Sequence, residues 1–272
     1  MAKDIEAKVP KINKKLLSGL ISVSRTTFYE IHQKQHIKDL ILKDQILKVL
    51  ETHPAYGHRR LALALSVGRK RTRRVMKLFN IKPYKRKARW RKVRDFGNPA
   101  TNYPNLIKGT CPVKPKVVYS GDFTYLRWNG RFVYLATFLD IFTREIVGWS
   151  ISAKHTEDLV TEAFIDAVVK NGKPLIVHTD QGSEYRSKEY TSLMDQLGVK
   201  ISMSKKGSPW ENGYQESWYD NFKTDLGLEF ERFETVGEFV EAIHTTIVKY
   251  NTFRIHTVLK MPPLSFKQIH TF

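Results

Sequence analysis

Asp122, Asp180 and Glu216 are the residues whose types and spacing could do chemistry together. Asp180 follows the apolar run Leu175-Ile176-Val177 and His178-Thr179, within "VHTDQGSEY". A strand of that composition is expected to be buried. An aspartate at its end must then be solvated, paired or bound to a cation. A turn-forming Asp-x-Gly would account for Asp180 taken alone. Asp122 lies inside the strand-like "VVYSGDFTYL", on the face shared by Val118, Ser120 and Thr124, because strand side chains alternate with period two.

A third acid is expected on the helix after the polar loop "SKKGS", with Glu211 and Glu216 as candidates. In "SPWE", Ser208 reads as a cap, Pro209 as the first helical position and Glu211 as the residue reaching back to the cap, which gives Glu211 a structural account. Tyr214, Trp218, Phe222 and Leu226 recur every four residues and are expected to face the core. At ~100° per residue, Asn212, Glu216 and Lys223 fall within about 40° of one another on another side. A solvated face would explain that trio alone. With Asp122 and Asp180 upstream, Glu216 becomes the third ligand.

Three carboxylates on two strands and a helix suit hard divalent cations, Mg²⁺ or Mn²⁺, at two ions per site. Such a pair, ~3.5–4 Å apart, can activate a nucleophile and stabilise the leaving oxygen of an in-line phosphoryl displacement. Lys223, seven residues beyond Glu216, is placed to hold a phosphate near the cleft.

The elements that must position these groups lie downstream of Lys116. Three strand-like runs are joined by turns at Asn129-Gly130 and Asp140–Arg144, with Asp140 read as a turn residue. A helix over 156–170, a strand over 174–179, a helix near 187–197 and the short strand "VKISM" follow. Antiparallel strands followed by alternating helix and strand predict a mixed α/β sheet with helices on its faces.

Charge separates this part from the rest. The 272 residues carry 46 Lys/Arg and 27 Asp/Glu, a net +19. Residues 1–110 hold 27 basic and 7 acidic side chains, and residues 111–272 hold 19 and 20. A basic arm on a near-neutral domain points to a polyanion partner. Ser24 reads as a cap before a helix bearing Phe28, Tyr29 and Ile31, and a second helix spans 36–51. In "YGHRRLALALSVGRKRTRRVMKLFNIKP", Leu61, Leu63 and Leu65 mark a short helix. Gly68 breaks it, and Val75, Met76, Leu78 and Phe79 mark the next. The second carries Lys70, Arg71, Arg73 and Arg74, a pattern that suits a helix-turn-helix, and the basic region as a whole reads as all-helical with two candidate units of that kind. Arg59, Arg60, Lys85, Arg86 and Lys87, with Asn212 near the acids, complete the expected DNA contacts. The domains read as 1–94, a Pro/Gly/Asn-rich linker 95–115, and 116–272.

No apolar run approaches membrane-spanning length and no leader pattern is seen. The single cysteine, Cys111, precludes an internal disulfide and fits a reducing cytoplasm. It also leaves no zinc site that needs two cysteines.

These residues together resemble the DDE transposases with a retroviral-integrase-type core, most closely the second-reading-frame transposases of the IS-three group of bacterial insertion sequences. The resemblance rests on Asp122, "HTDQGSEY", "SMSKKGSPWENGYQES" with 35 residues between Asp180 and Glu216, and Lys223. "YGHRR", "FLDIFTREIVGW" and "YNTFRIHTVLKMPPLSF" add to it, so that it runs from about residue 15 to 266. It implies an RNase H-like five-stranded core and metal-dependent DNA strand cleavage and joining. Asp122, Asp180 and Glu216 would be the metal ligands, and water would free a 3′-OH that attacks target DNA without a covalent protein intermediate. It also implies double-stranded element ends and target as partners, a homo-oligomer on DNA, and a nucleoid-associated cytoplasmic location. In many relatives a frameshift fusion adds an upstream segment, so an upstream-frame protein is a further expected partner. Glu211 stands where relatives often show Asp. A nuclease on the same core and a catalytically silent DNA-binding regulator are the rival readings. A tyrosine recombinase is disfavoured because "NTFRIHT" lacks the His-x-x-Arg order.

Overall fold

The computed structural model describes residues 14–20, 22, 24–84, 103–205, 207–227 and 232–270. Two compact units divide the chain, Met1–Pro83 and Tyr84–Phe272.

The first unit is helical: α1 (Lys14–Leu20), α2 (Arg25–Thr52), α3 (His58–Ala64) and α4 (Arg69–Leu78). The two N-terminal helices expected on either side of residues 32–35 are one continuous helix, α2, since "HQKQ" contains no Gly or Pro to interrupt it. Leu42, Ile46, Tyr56, Leu61, Val75 and Met76 form its core, while Ile37, Ile41 and Leu47 are exposed. Asp39 is buried, and both its oxygens accept from the Arg74 guanidinium, with Gln35 Nε2 donating as well at 2.7 Å. A buried carboxylate is tolerated because this fork neutralises it.

The second unit is built on a five-stranded sheet of order β3-β2-β1-β4-β5. The strands are β1 (Val118–Trp128), β2 (Arg131–Asp140), β3 (Ile146–Ser152), β4 (Ile176–Thr179) and β5 (Lys200–Met203). β1, β2 and β3 are antiparallel neighbours, and β4 and β5 run parallel to β1. Asn129 (φ 45°) and Gly130 (φ 73°) both have positive φ, which is what a two-residue hairpin turn between right-twisted strands requires. α5 (Glu157–Asn171) and α6 (Lys188–Leu197) cover the face carrying Tyr119, Phe138 and Val177. α7 (Gly213–Leu226) and α8 (Val236–Thr252) cover the face carrying Val118, Leu135 and Leu139. α9 (Pro263–His270) follows, with Lys267 Nζ 2.8 Å from Glu145 Oε2. The mixed sheet flanked by helices is the fold class expected from the sequence.

Gly148 on β3 marks the closest approach of strand and helix. A Cβ there would lie 2.3 Å from the Ala167 amide nitrogen and 2.5 Å from the Ala163 oxygen, so a side chain would force α5 off the sheet.

Residues 103–107, expected within the linker, are anchored on this unit. The Leu106 N–H donates to Ser202 Oγ, Asn105 Nδ2 donates to Glu211 Oε2, and Ile107 packs on the α7–α8 core. Asparagine and proline content signals irregular backbone but does not tell a free linker from an ordered strap. Leu175, expected in a buried strand, is 61% exposed, because β4 starts one residue later.

Candidate active site

Asp122 sits at the centre of β1, opposite Thr137 of β2. β4 pairs with β1 over Val118–Ser120, so the β4 side of β1 opens just where Asp122 stands. Asp180 follows the last residue of β4, and the 180–183 turn forms as one of its carboxylate oxygens accepts the Gly182 N–H at 2.9 Å. The β1–β4 register thus sets Asp180, just past the carboxyl end of β4, level with Asp122 in the middle of β1. Glu216 lies in the first turn of α7.

Buried polar groups fix α7 in register on the sheet. Gln215, fully buried, donates from Nε2 to the Ser120 and Thr137 carbonyls (2.5 and 3.1 Å) and accepts from Thr137 Oγ1. Tyr219 donates from its hydroxyl to the Asp122 carbonyl at 2.7 Å. Asn212 accepts from Ser120 Oγ at 2.5 Å and donates to the Gly121 carbonyl at 3.2 Å. Leaving one of these strand carbonyls unpaired would cost about 1–3 kcal/mol. Arg254 closes the outer side of α7 through Asp225 and Asn221.

Several expectations are corrected here. Asn212, expected on the DNA-facing side, is buried with both amide groups engaged by β1, so its role is to hold α7 down. Tyr214 is 38% exposed, with the Arg144 guanidinium 4.0 Å from its ring centroid, and it is not a core residue. The inward stripe keeps the expected Trp218, Phe222 and Leu226, loses Tyr214 and gains Gln215 and Tyr219, whose polar groups find partners on the sheet. Polar residues at i and i+4 next to aromatics were the missed signal. Ser208 makes no side-chain cap. Glu211 instead accepts the Lys205 N–H at 2.8 Å and the Asn105 amide, bracing the loop before α7. Asp140 accepts from the Phe142 and Thr143 N–H groups, as a turn residue should, and also from the Lys116 N–H.

The electrostatics single out Asp122. Burial, followed by the charges of Asp180 and Glu216, pushes its carboxyl up to about 8, against the Phe123 N–H and Lys223. Asp180 is raised by burial, with the charge of Glu184 adding to it and the Gly182 N–H opposing. Glu216 is raised by burial and by Asp220. These are acids that lack enough compensating positive charge. Among the described residues, however, no three His, Cys, Asp or Glu side chains close around one point as a metal site. Lys223 Nζ donates to Thr124 Oγ1 at 2.6 Å, two residues along β1 from Asp122.

Glu184, within the quoted motif but not assigned from sequence, is buried beside Asp180. It accepts from Ser183 Oγ at 3.1 Å and lies 2.9 Å from His155 Nδ1. Although burial works the other way, these partners and its own backbone N–H hold its carboxyl below the usual range. His178 is buried between the strands with Nδ1 2.9 Å from Ser202 Oγ, and burial pushes its imidazole down to about 4 against the pull of Glu211.

The remaining expected DNA contacts lie in the helical unit. Arg59, Lys70, Arg71 and Arg73 are exposed, and the Arg60 guanidinium lies 5.7 Å from the Tyr56 ring centroid. Arg74 is spent on Asp39. Lys85, Arg86 and Lys87 lie outside the described residues.

A five-stranded sheet in this order, with one acid on the central strand, one just past its parallel neighbour and one on α7, is the arrangement of an integrase-type core. Residues 112–209 match the family model described as Integrase core domain, and residues 197–263 match a second model of the same description. The chain is 37% identical to the transposase for insertion sequence element IS904 of Lactococcus lactis subsp. lactis (strain IL1403), over 83% of this chain and 92% of that protein. It is 31% identical to the insertion element IS600 31 kDa protein of Shigella sonnei, over 92% and 96%. It is 27% identical to the putative transposase InsK of IS150 from Escherichia coli (strain K12), over 90% of each. The fold is shared with the HTLV-2 integrase catalytic core domain, solved in complex with magnesium (TM-score 0.50, 21% identity, 59% of this chain and 99% of that one). A simian T-cell lymphotropic virus intasome chain also shares it (TM-score 0.53, 15% identity, 78% and 74%). The chain belongs to the insertion-sequence transposases with an integrase core.

Proposed function

We propose that this protein is a DNA transposase that nicks the ends of a mobile element and joins the freed 3′-OH to target DNA. What supports this reading is the placement of Asp122 on β1, Asp180 just past its parallel neighbour β4 and Glu216 in the first turn of α7, in a chain 37% identical to an insertion-sequence transposase over 83% of its length. The oxygen-only donor set Asp122, Asp180 and Glu216 fits hard divalent cations, Mg²⁺ or Mn²⁺, at two ions per site. When bound, such ions make water or a 3′-OH a better nucleophile and balance charge on the leaving oxygen. Gln215 and Tyr219 hold the helix of Glu216 on the sheet, and Glu184 with His155 braces the turn after Asp180. The test is incubation of purified protein with element-end duplexes and Mg²⁺, scoring nicked and joined products. Nicks without joints would assign a nuclease instead.

Lys223 is assigned to a DNA phosphate beside the acids. A protonated ammonium cannot ligate a cation, and its bond to Thr124 carries its stem to the β1 edge. Lys223→Ala is expected to lower joining about tenfold with Mn²⁺ affinity unchanged, and Lys223→Arg to restore part of it. A defect cured by added metal would contradict this assignment.

Duplex binding is assigned to the helical unit, with α3 and α4 as a helix-turn-helix and Arg59, Lys70, Arg71 and Arg73 as phosphate contacts. Residues 1–94 are expected to bind duplex DNA with a log–log salt slope of about −0.9 per phosphate contacted. Residues 112–272, with near-balanced charge, should bind far more weakly. Equal affinities at equal salt would refute the division. A homo-oligomer on DNA, an upstream-frame partner and a nucleoid-associated cytoplasmic location belong to the same reading. Among the described residues no helix is long and apolar enough to cross a membrane.

A further inference from the structure

On the β1–β2 hairpin, Phe123 and Tyr134 are partly buried at the margin of the core that α5 and α6 cover, while Tyr125 and Phe132, nearer the turn, are exposed. This face of the hairpin is aromatic. Phe123 and Tyr125 alternate with Asp122 and Thr124 on β1, and Tyr125 pairs with Tyr134 of β2 while Arg127 pairs with Phe132. Tyr125 is 47% exposed and Phe132 is 51% exposed, their rings meeting edge-on at 5.3 Å between centroids. The His155 ring continues the surface, 5.0 Å from Tyr134 and nearly parallel to Phe123 at 6.2 Å. Arg127 and Lys154 on this side, and Arg131 near the turn, are exposed. Lys223 Nζ lies 5.4 Å from the Tyr125 ring centroid. The neighbouring carboxylate, Glu184, is taken up by His155 and Ser183.

Cross-strand aromatic pairs stabilise hairpins, and that explains Tyr125 meeting Phe132. It does not explain why about half of each ring stays in water, or why cations border the strip. Aromatic faces along a positive track are what unpaired nucleotides bind, the bases stacking and the phosphates meeting Arg or Lys. The strip begins one residue from Asp122 but faces the other side of β1, and Lys223, bonded to Thr124 on the Asp122 face and 5.4 Å from the Tyr125 ring centroid, borders both. We infer that this hairpin face is a stacking platform for unpaired nucleotides of the DNA strand leaving the active site. The inference rests on the transposase reading and adds to it a specific surface.

The experiment uses the full chain with Asp122→Asn, so that DNA stays uncut, and a duplex bearing a short single-stranded overhang with 2-aminopurine as one base. Binding is expected to quench the probe. Tyr125→Ala with Phe132→Ala should abolish the quench and weaken overhang binding about tenfold or more, with blunt-duplex affinity unchanged within twofold. Tyr125→Phe and Phe132→Tyr should retain both. Arg127→Gln should lower the salt slope for the overhang by about one. Unchanged quench and affinity in the double alanine variant overturn the inference. So does a double variant that loses self-association in sedimentation but still binds the overhang, because the face would then be a protein interface. Wild-type protein that joins ends without quenching sinks this inference and leaves the transposase reading standing.

Discussion

Asp122→Asn, Asp180→Asn and Glu216→Gln should each lower nicking and joining by about a thousandfold or more, while duplex binding persists. A bound metal pair supplies several kcal/mol of transition-state charge stabilisation, and each 1.36 kcal/mol is about tenfold in rate. Losing one carboxylate removes a ligand and changes the net charge that draws the cations in. The substitutions are close to isosteric, so Gln215, Tyr219 and Asn212 still hold α7 on β1, and the helical unit is untouched. Glu211→Gln is the control. Its carboxylate accepts from Lys205 and Asn105 on the loop before α7, and most activity should remain. Product yield under Mg²⁺ and duplex affinity in the same preparation are the measurements. Equal loss at Glu211 and Glu216, or full activity in any of the three variants, would show that the helix face has been misassigned.

The second expected result is a pH dependence of stability that a cation reverses. In the folded protein the Asp122 carboxyl is raised from its ordinary 3.8 to about 8, so the folded state holds a proton that the unfolded chain releases. Stability from this group is complete below pH 3.8 and is lost as pH rises towards 8. A tenfold difference in proton affinity between the folded and unfolded chain is worth about 1.4 kcal/mol, so the loss is on the order of a few kcal/mol. For a unit of this size that is a fall of about 5–10 °C in melting temperature. Metal-free wild type should therefore melt lower at pH 8 than at pH 5 by more than Asp122→Asn does. Adding Mn²⁺ at pH 8 should restore the wild type and act less on the variant, because a cation compensates the ionised carboxylates that an amide cannot replace. Parallel melting curves for the two proteins across this range would refute both the uncompensated charge and its link to metal.

The unusual strand positions of Asp122 and Asp180 were legible in the sequence because each breaks a local rule, whereas Glu216, on a helix face that water alone would explain, was singled out only through those two. Asp122 and Asp180 are charges in or at the end of strands whose apolar neighbours demand burial, and period-two alternation assigns Asp122 its face without any tertiary information. The Asn129-Gly130 turn, the order of strands and helices and the basic first unit were legible for the same reason, since each is a short-range property of the chain. The sequence also placed Glu211 in a structural role, although its partner proved to be the Lys205 N–H and not the Ser208 cap.

What the tertiary structure decided was which polar residues are spent on holding the fold. Asn212 shares a helix sector with Glu216, yet only the packing of α7 on β1 shows its amide bonded to Ser120 and Gly121. Gln215 and Tyr219 fall outside the inward stripe expected from the sequence, because the carbonyls they satisfy come from the sheet, and Arg74 reads as a DNA contact until α2 presents Asp39. Tyr214 fits the helical repeat as well as Trp218 does, but the sheet lies under Trp218 and Arg144 lies over Tyr214. Periodicity assigns a side chain to a face. Whether that face meets water, a carbonyl or a buried carboxylate depends on residues far away in the chain, and no local pattern carries that information.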